Sequence, residues 1–189
     1  MKKILYIIVA LIVVASAVYF FTHYRIMPAK PYEGGMSTED AIADAGALVL
    51  VSIFYPGPGG QLETTTRWVY QVDNWVERSA LLVNEFLKYH RQNDYFQIAP
   101  RVRLDHLFYA KPSGVLYLDF SGDILLPNGG ALDEYHFLLC LMATLHHHLP
   151  FVQAVQFLKN AEPMDTLNGH ITAQQPLEID TFLHNWRNQ

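Results

Sequence analysis

Residues Ile4–Phe21 are eighteen consecutive positions, of which only Ser16 is not hydrophobic. As a helix they span about 27 Å, close to the ~30 Å hydrocarbon core of a bilayer. Lys2 and Lys3 precede the run, and Tyr19, Phe20, Phe21 and Tyr24 sit at its far end, where an interfacial aromatic belt belongs. The positive-inside rule keeps the two lysines cytoplasmic and sends the rest of the chain across the membrane. The competing expectation is a cleaved signal peptide, with Ile4–Val14 as its apolar part and Ala15-Ser16-Ala17 as a small-x-small cleavage site. Both readings export the remainder of the chain. With no Cys near the end of the run, a bacterial lipid anchor is not expected. The expected organisation is an anchor over 1–25 with its helix at 4–21, a linker and short helix over 26–46, and a domain over 47–189.

Composition outside the apolar run is that of a globular domain. The sequence carries Cys140 as its single cysteine, so no intrachain disulfide is available. The net charge of −5 comes without a basic stripe, an Arg-rich arm or zinc-finger spacing. A sequence-independent grip on nucleic acid needs several Lys or Arg against phosphates, so nucleic acid is not an expected partner.

The order of elements comes from periodicity. Ser37-Thr38-Glu39-Asp40 resembles a capping box for a short helix ending near Gly46. Ala47–Tyr55 is nearly continuous apolar sequence and reads as a strand buried on both faces. Pro56–Gly60 turns the chain, and Leu62–Tyr70, rich in Thr and aromatics, returns as the second strand of a hairpin. Asp73 is the expected N-cap of a helix whose Trp75, Val76, Ser79, Leu82, Val83, Phe86 and Leu87 recur at helical spacing, ending near His90. Val102, Leu104, His106 and Phe108 alternate with Arg103, Asp105, Leu107 and Tyr109, a strand pattern, and Val115–Phe120 returns it. Asn128-Gly129-Gly130 opens a second helix with Asp133 and Glu134 in its first turn, apolar all round at Leu138–Met142 and stopping before Pro150. Val152–Lys159 is a final strand, Asn168-Gly169 a turn, and Leu177–Trp186 closes the chain. The expected fold is α+β: a mixed sheet of two hairpins and a final strand, packed against two main helices and preceded by one transmembrane helix.

Chemistry is sparse. His146-His147-His148 is the most visible cluster, but neighbouring residues on a helix point about 100° apart and cannot share one ion. They read as a polar helix end, with a metal site completed by a distant residue such as His170 as the minor alternative. Asp119-Phe120-Ser121-Gly122-Asp123 begins like a calcium loop, yet Ile124 and Gly130 stand where Gly and Glu are required. Cys140 lies in a Leu/Met run and reads as core, and His106 as a hydrogen-bonded or half-exposed strand histidine. Asp133 and Glu134 point in different directions, a poor acid–base pair. No residue is assigned as catalytic, cofactor-binding or metal-ligating, and no cofactor is expected.

One ordered set of segments goes further. Val155–Leu158, Asp165–His170 (Asp-Thr-Leu-Asn-Gly-His) and Gln175-Pro176-Leu177 together resemble the closing signature of the GerM (GerMN) domain family. Gly114–Ser121 looks like that family's Gly-x-x-x-Val-Asp-Phe-Ser strand, and Val51–Tyr55 its first strand. Where the family often reads Leu-Val-Asp-Gly, this chain has Leu158-Lys159-Asn160-Ala161. The resemblance implies a non-enzymatic domain in the cell envelope that binds other envelope proteins or itself. Trp68, Tyr70, Tyr95 and Tyr109 are the candidate interface aromatics. The alternatives are a small-ligand or cell-wall-glycan binder and a His-based, metal-dependent hydrolase.

Overall fold

The computed structural model describes residues 47–127 and 129–187. The expected anchor at 4–21, its alternative cleavage site and the short helix at 37–45 lie outside the described residues.

Two strands, β1 (Leu48–Pro56) and β2 (Leu62–Tyr70), form an antiparallel hairpin that is a sheet of its own. This departs from the expectation of one sheet holding both hairpins. Helix α1 (Trp75–Gln92) comes next, capped by Asn74, whose side chain accepts from the Val76 N–H, and not by Asp73. Its buried stripe includes Ser79, Leu82, Val83, Phe86, Leu87 and His90, the i, i+3, i+4 spacing read from the sequence. It runs two residues past His90 and closes on Asn93, whose N–H and side-chain amide both donate to the Tyr89 carbonyl.

Strands β3 (Leu104–Ala110) and β4 (Val115–Phe120) make the second hairpin. Helix α2 (Ala131–His148) carries the chain to β5 (Ala154–Lys159), which lies parallel to β4, the usual use of a helical crossover. Two short strands, β6 (Glu162–Pro163) and β7 (Leu177–Glu178), pair antiparallel with different stretches of β5, and α3 (Ile179–Arg187) ends the described chain. The second sheet is therefore mixed, and the α+β class stands.

A register shift between Leu104 and His106 marks a bulge in β3. An extra residue flips which side chains face inward. Past the bulge, Leu107 and Tyr109 pack on the core while His106 and Phe108 are exposed, the reverse of the face that simple alternation from Val102 implies. Leu116, Leu118, Phe120, Val155 and Phe157 join Phe86 and Phe137 from the two helices in one core. The inner face of the first hairpin adds Val51, Ile53 and Val69 to the same cluster. Fully burying one such side chain is worth roughly 1.5–3 kcal/mol.

Candidate functional site

Backbone phase decides what β1 offers. Gly57 N–H donates to Gln61 O at 2.8 Å and Gln71 N–H to Ala47 O at 2.8 Å, so the odd-numbered residues of β1 face β2. The even-numbered residues turn their backbone groups away from β2, toward the helices. There, side chains take the place of a third strand. Phe54 N–H donates to the Thr144 hydroxyl at 3.1 Å, which in turn donates to Cys140 O at 2.8 Å. Phe54 O accepts from His90 Nε2 at 2.9 Å. His148 Nε2 lies 3.0 Å from both the nitrogen and the oxygen of Ser52, and its tautomer selects which of the two bonds forms.

Burial pushes His90 down to about 4 against the opposing pull of its Phe54 bond. With its proton on Nε2, its Nδ1 is buried without a hydrogen-bond partner. Burial likewise lowers His148, opposed by the Ser52 bond and helped by His147 and Arg78. The His cluster is thereby split three ways. His148 meets Ser52, His147 packs edge-on against Phe54 with centroids 5.8 Å apart, and His146 Nδ1 is 4.0 Å from Asp180. His170, the distant residue considered for a metal, goes elsewhere. Among the described residues no group of three or more His, Cys, Asp or Glu is placed to hold an ion.

His170 belongs to a clamp built on Glu134, which is fully buried in the first turn of α2. Glu134 Oε1 accepts from the N–H groups of Leu167 and Asn168, each at 3.0 Å. Its Oε2 accepts from the His170 N–H at 2.9 Å and lies 3.1 Å from His170 Nδ1. One carboxylate thus gathers the Leu167-Asn168-Gly169-His170 turn onto the helix. Read from sequence, Glu134 is a dipole acid. The overlooked signal is a carboxylate one helical turn before Leu138 on an otherwise apolar helix, where burial demands donors from another segment.

The remaining polar candidates also hold turns. Asp119 Oδ1 accepts from the Ala161 N–H at 3.0 Å and its Oδ2 lies 3.3 Å from His106 Nδ1. Asp123 pairs with Lys159 at 2.8 Å. The Cys140 thiol is buried, which pushes its pKa up and keeps it a thiol.

The outer face of the first hairpin is different. Leu48, Leu50, Trp68 and Tyr70 are 53%, 51%, 66% and 49% exposed, and the register sets Leu48 beside Tyr70 and Leu50 beside Trp68. The expectation of β1 buried on both faces is corrected: its odd-numbered side supplies the buried Val51 and Ile53, while on the other side Leu48 and Leu50 are exposed and Phe54 is half-buried. Of the four candidate aromatics, Trp68 and Tyr70 are exposed, whereas Tyr95 packs on Tyr55 and Tyr89, and Tyr109 on Trp75 and Phe151. A cleft of about 270 Å³ opens between the start of β1 and α1, lined by Leu50, Tyr70, Arg78, Leu81 and His148 among others. That is below the ~300–1,000 Å³ of sites that enclose a small molecule.

No protein-family model matches the chain, and no curated protein matches it. Solved structures do. The first GerMN domain of the sporulation protein GerM from Bacillus subtilis superposes with a TM-score of 0.51 at 14% identity, over 69% of this chain and 97% of that domain. The tandem GerMN domains of the same protein give a TM-score of 0.52 at 13% identity, over 71% of this chain and 48% of the tandem. At such identity the likeness speaks to fold, and it agrees with the ordered segments quoted from the sequence. The chain has a GerMN-like fold.

Proposed function

We propose that this chain is a non-catalytic assembly domain of the cell envelope. Residues 4–21 hold it in the cytoplasmic membrane as a single pass with the N-terminus inside. Residues 26–46 are its tether, and the domain from residue 47 lies outside the cytoplasm. There it binds other envelope proteins or its own copies through the outer face of the β1–β2 hairpin. The observation that carries this reading is the exposed set Leu48, Leu50, Trp68 and Tyr70, side by side on a strand pair. A cluster of large apolar side chains in water marks a docking surface more often than chance scatter. The polar groups that offered chemistry in the sequence are engaged in strand edges and turns, which supports binding over catalysis.

Site-specific photo-crosslinking in cells tests it. A photoreactive residue at Trp68 or Tyr70 of the full chain is expected to give a discrete adduct in the membrane fraction, and one at exposed Lys88 on α1 none. Equal labelling from both faces, or none from the hairpin, contradicts it.

A further inference from the structure

Among the described residues, no strand pairs with the outer edge of β2. Within its sheet β2 pairs with β1 alone, and the phase set by Gly57–Gln61 and Ala47–Gln71 turns the backbone N–H and C=O of Leu62, Thr64, Thr66, Trp68 and Tyr70 outward. The strand is nine residues long and contains neither Lys nor Pro; its two charged residues, Glu63 and Arg67, would discourage pairing with a partner that does not answer them. Its sequence Leu62-Glu63-Thr64-Thr65-Thr66-Arg67-Trp68 reads the same in chemical type from either end, save that the acid at one end answers a base at the other: apolar, acidic, three threonines, basic, apolar.

We propose that the partner on this edge is a second copy of the chain, its β2 antiparallel to the first about a two-fold axis at Thr65. Leu62 then faces Trp68 of the second copy, Thr64 faces Thr66, and Glu63 faces Arg67, each contact occurring twice as an isologous interface requires. The backbone phase permits this register. The even-numbered residues, whose amides point outward, become the hydrogen-bonded pairs. Thr65–Thr65 and Glu63–Arg67 become the non-hydrogen-bonded pairs, where side chains approach most closely. Charge selects the register over its neighbour, since centring the axis on Thr66 would set Arg67 against Thr65 and leave Glu63 opposite Val69. Arg67 is available to such a partner: its guanidinium lies 5.9 Å over the Tyr89 ring and forms no ion pair among the described residues. Glu63 is half-buried and held by the Tyr55 hydroxyl at 2.7 Å and the Gln61 amide at 3.0 Å, so its carboxylate is already oriented. Pairing yields a continuous four-stranded sheet whose outer face joins the two apolar sets. The inference deepens, and rests on, the assembly reading above.

The test uses the full chain in detergent, with sedimentation and disulfide trapping. Copies carrying Thr64→Cys, mixed with copies carrying Thr66→Cys, are expected to join to each other in preference to joining themselves. Buried Cys140 stays silent. Arg67→Glu and Glu63→Arg should each abolish the dimer, and the double exchange Glu63→Arg/Arg67→Glu should restore it, with melting curves confirming that each variant folds. Thr66→Cys joining chiefly to itself, or a dimer indifferent to both charge reversals, overturns the proposal. A wild-type chain that sediments as one copy, while photo-crosslinking at Trp68 still yields a discrete envelope adduct, overturns self-pairing and leaves the assembly reading standing. Loss of both signals overturns both.

Discussion

His90 Nε2 on α1 donates to the Phe54 carbonyl of β1 at 2.9 Å, so an imidazole closes part of a strand edge that has no third strand among the described residues. The bond to Phe54 would survive protonation and favours it; burial is what keeps the ring neutral. Burial holds the folded-state pKa at about 4, below the ~6.5 of an unfolded chain. As pH falls below 6.5 the unfolded state takes up a proton that the folded state refuses, so stability rises with pH across this window. The stability is present in full above pH 6.5 and declines toward pH 4, by about 3 kcal/mol for this one group. His148, also lowered, adds in the same direction. Urea denaturation at intervals from pH 7 to pH 4 measures the slope. His90→Phe should flatten it from a lower starting stability, because Phe54 O then lacks its donor. A wild-type profile that is flat over the window would show that the ring charges freely in the fold.

Glu134 anchors the Leu167–His170 turn through bonds from three backbone amides and a contact with His170 Nδ1. Glu134→Ala strands those amides beneath the surface. A loss of about 3–5 kcal/mol is expected, the scale for removing one member of a buried charged network. Glu134→Gln keeps one acceptor oxygen and should lose less. Limited proteolysis should cut within 164–176 faster in Glu134→Ala than in the parent. Unchanged cleavage and an unchanged urea midpoint would remove the clamp from the account of this fold.

The β5–β6 turn carries a correctable flaw. Asn160 and Ala161 have φ of 54° and 65°, consecutive left-handed residues of the kind that two-residue hairpins prefer to fill with Asn-Gly. Ala at such a position costs about 1 kcal/mol relative to Gly. Ala161→Gly should therefore raise stability by about that amount, read as a higher melting temperature. The Ala161 N–H bond to Asp119 survives the change, since it uses the backbone. A lower melting temperature would mean that the loop entropy added by Gly outweighs the relieved strain.

Much of the fold was legible in the sequence because apolar periodicity reports burial directly. The Val115–Phe120 strand, the span from Gly130 to Pro150 and the α1 stripe from Ser79 to Leu87 all appear where the pattern puts them. What was not legible depends on long-range partners. Ala47–Tyr55 reads as doubly buried because an apolar run cannot say that its Leu48–Leu50 side faces water. The bulge at Leu104/His106 is a one-residue event that alternation cannot register, yet it reverses the exposed face of β3. Asp73 and Asn74 are equivalent N-caps on paper, and only the bond from Val76 chooses between them. At the candidate site, Trp68 and Tyr70 are named by the sequence as interface aromatics, but so are Tyr95 and Tyr109, which the structure packs away. The roles of His90, Thr144 and His148 on the β1 edge arise from contacts 36 to 96 residues apart, beyond the reach of any local pattern.

Surface substitutions on the hairpin should separate binding from folding. Leu50→Ser and Trp68→Ser alter side chains that are more than half exposed, so each should change stability by no more than about 0.5 kcal/mol. The core-facing neighbour Ile53, wholly buried, supplies the contrast: Ile53→Ala should cost about 2–5 kcal/mol. Parallel melts of the three variants check this. Comparable losses from Trp68→Ser and Ile53→Ala would place Trp68 in the domain's own core.

The most direct measurement is the native size of the full-length chain extracted from membranes in mild detergent, compared with the Leu50→Ser/Trp68→Ser variant. The wild type is expected to migrate as a complex larger than the single chain. The variant, melting at the wild-type temperature, should migrate as the single chain. Identical migration of the two, at either size, would contradict the claim that this domain assembles through the outer face of its first hairpin.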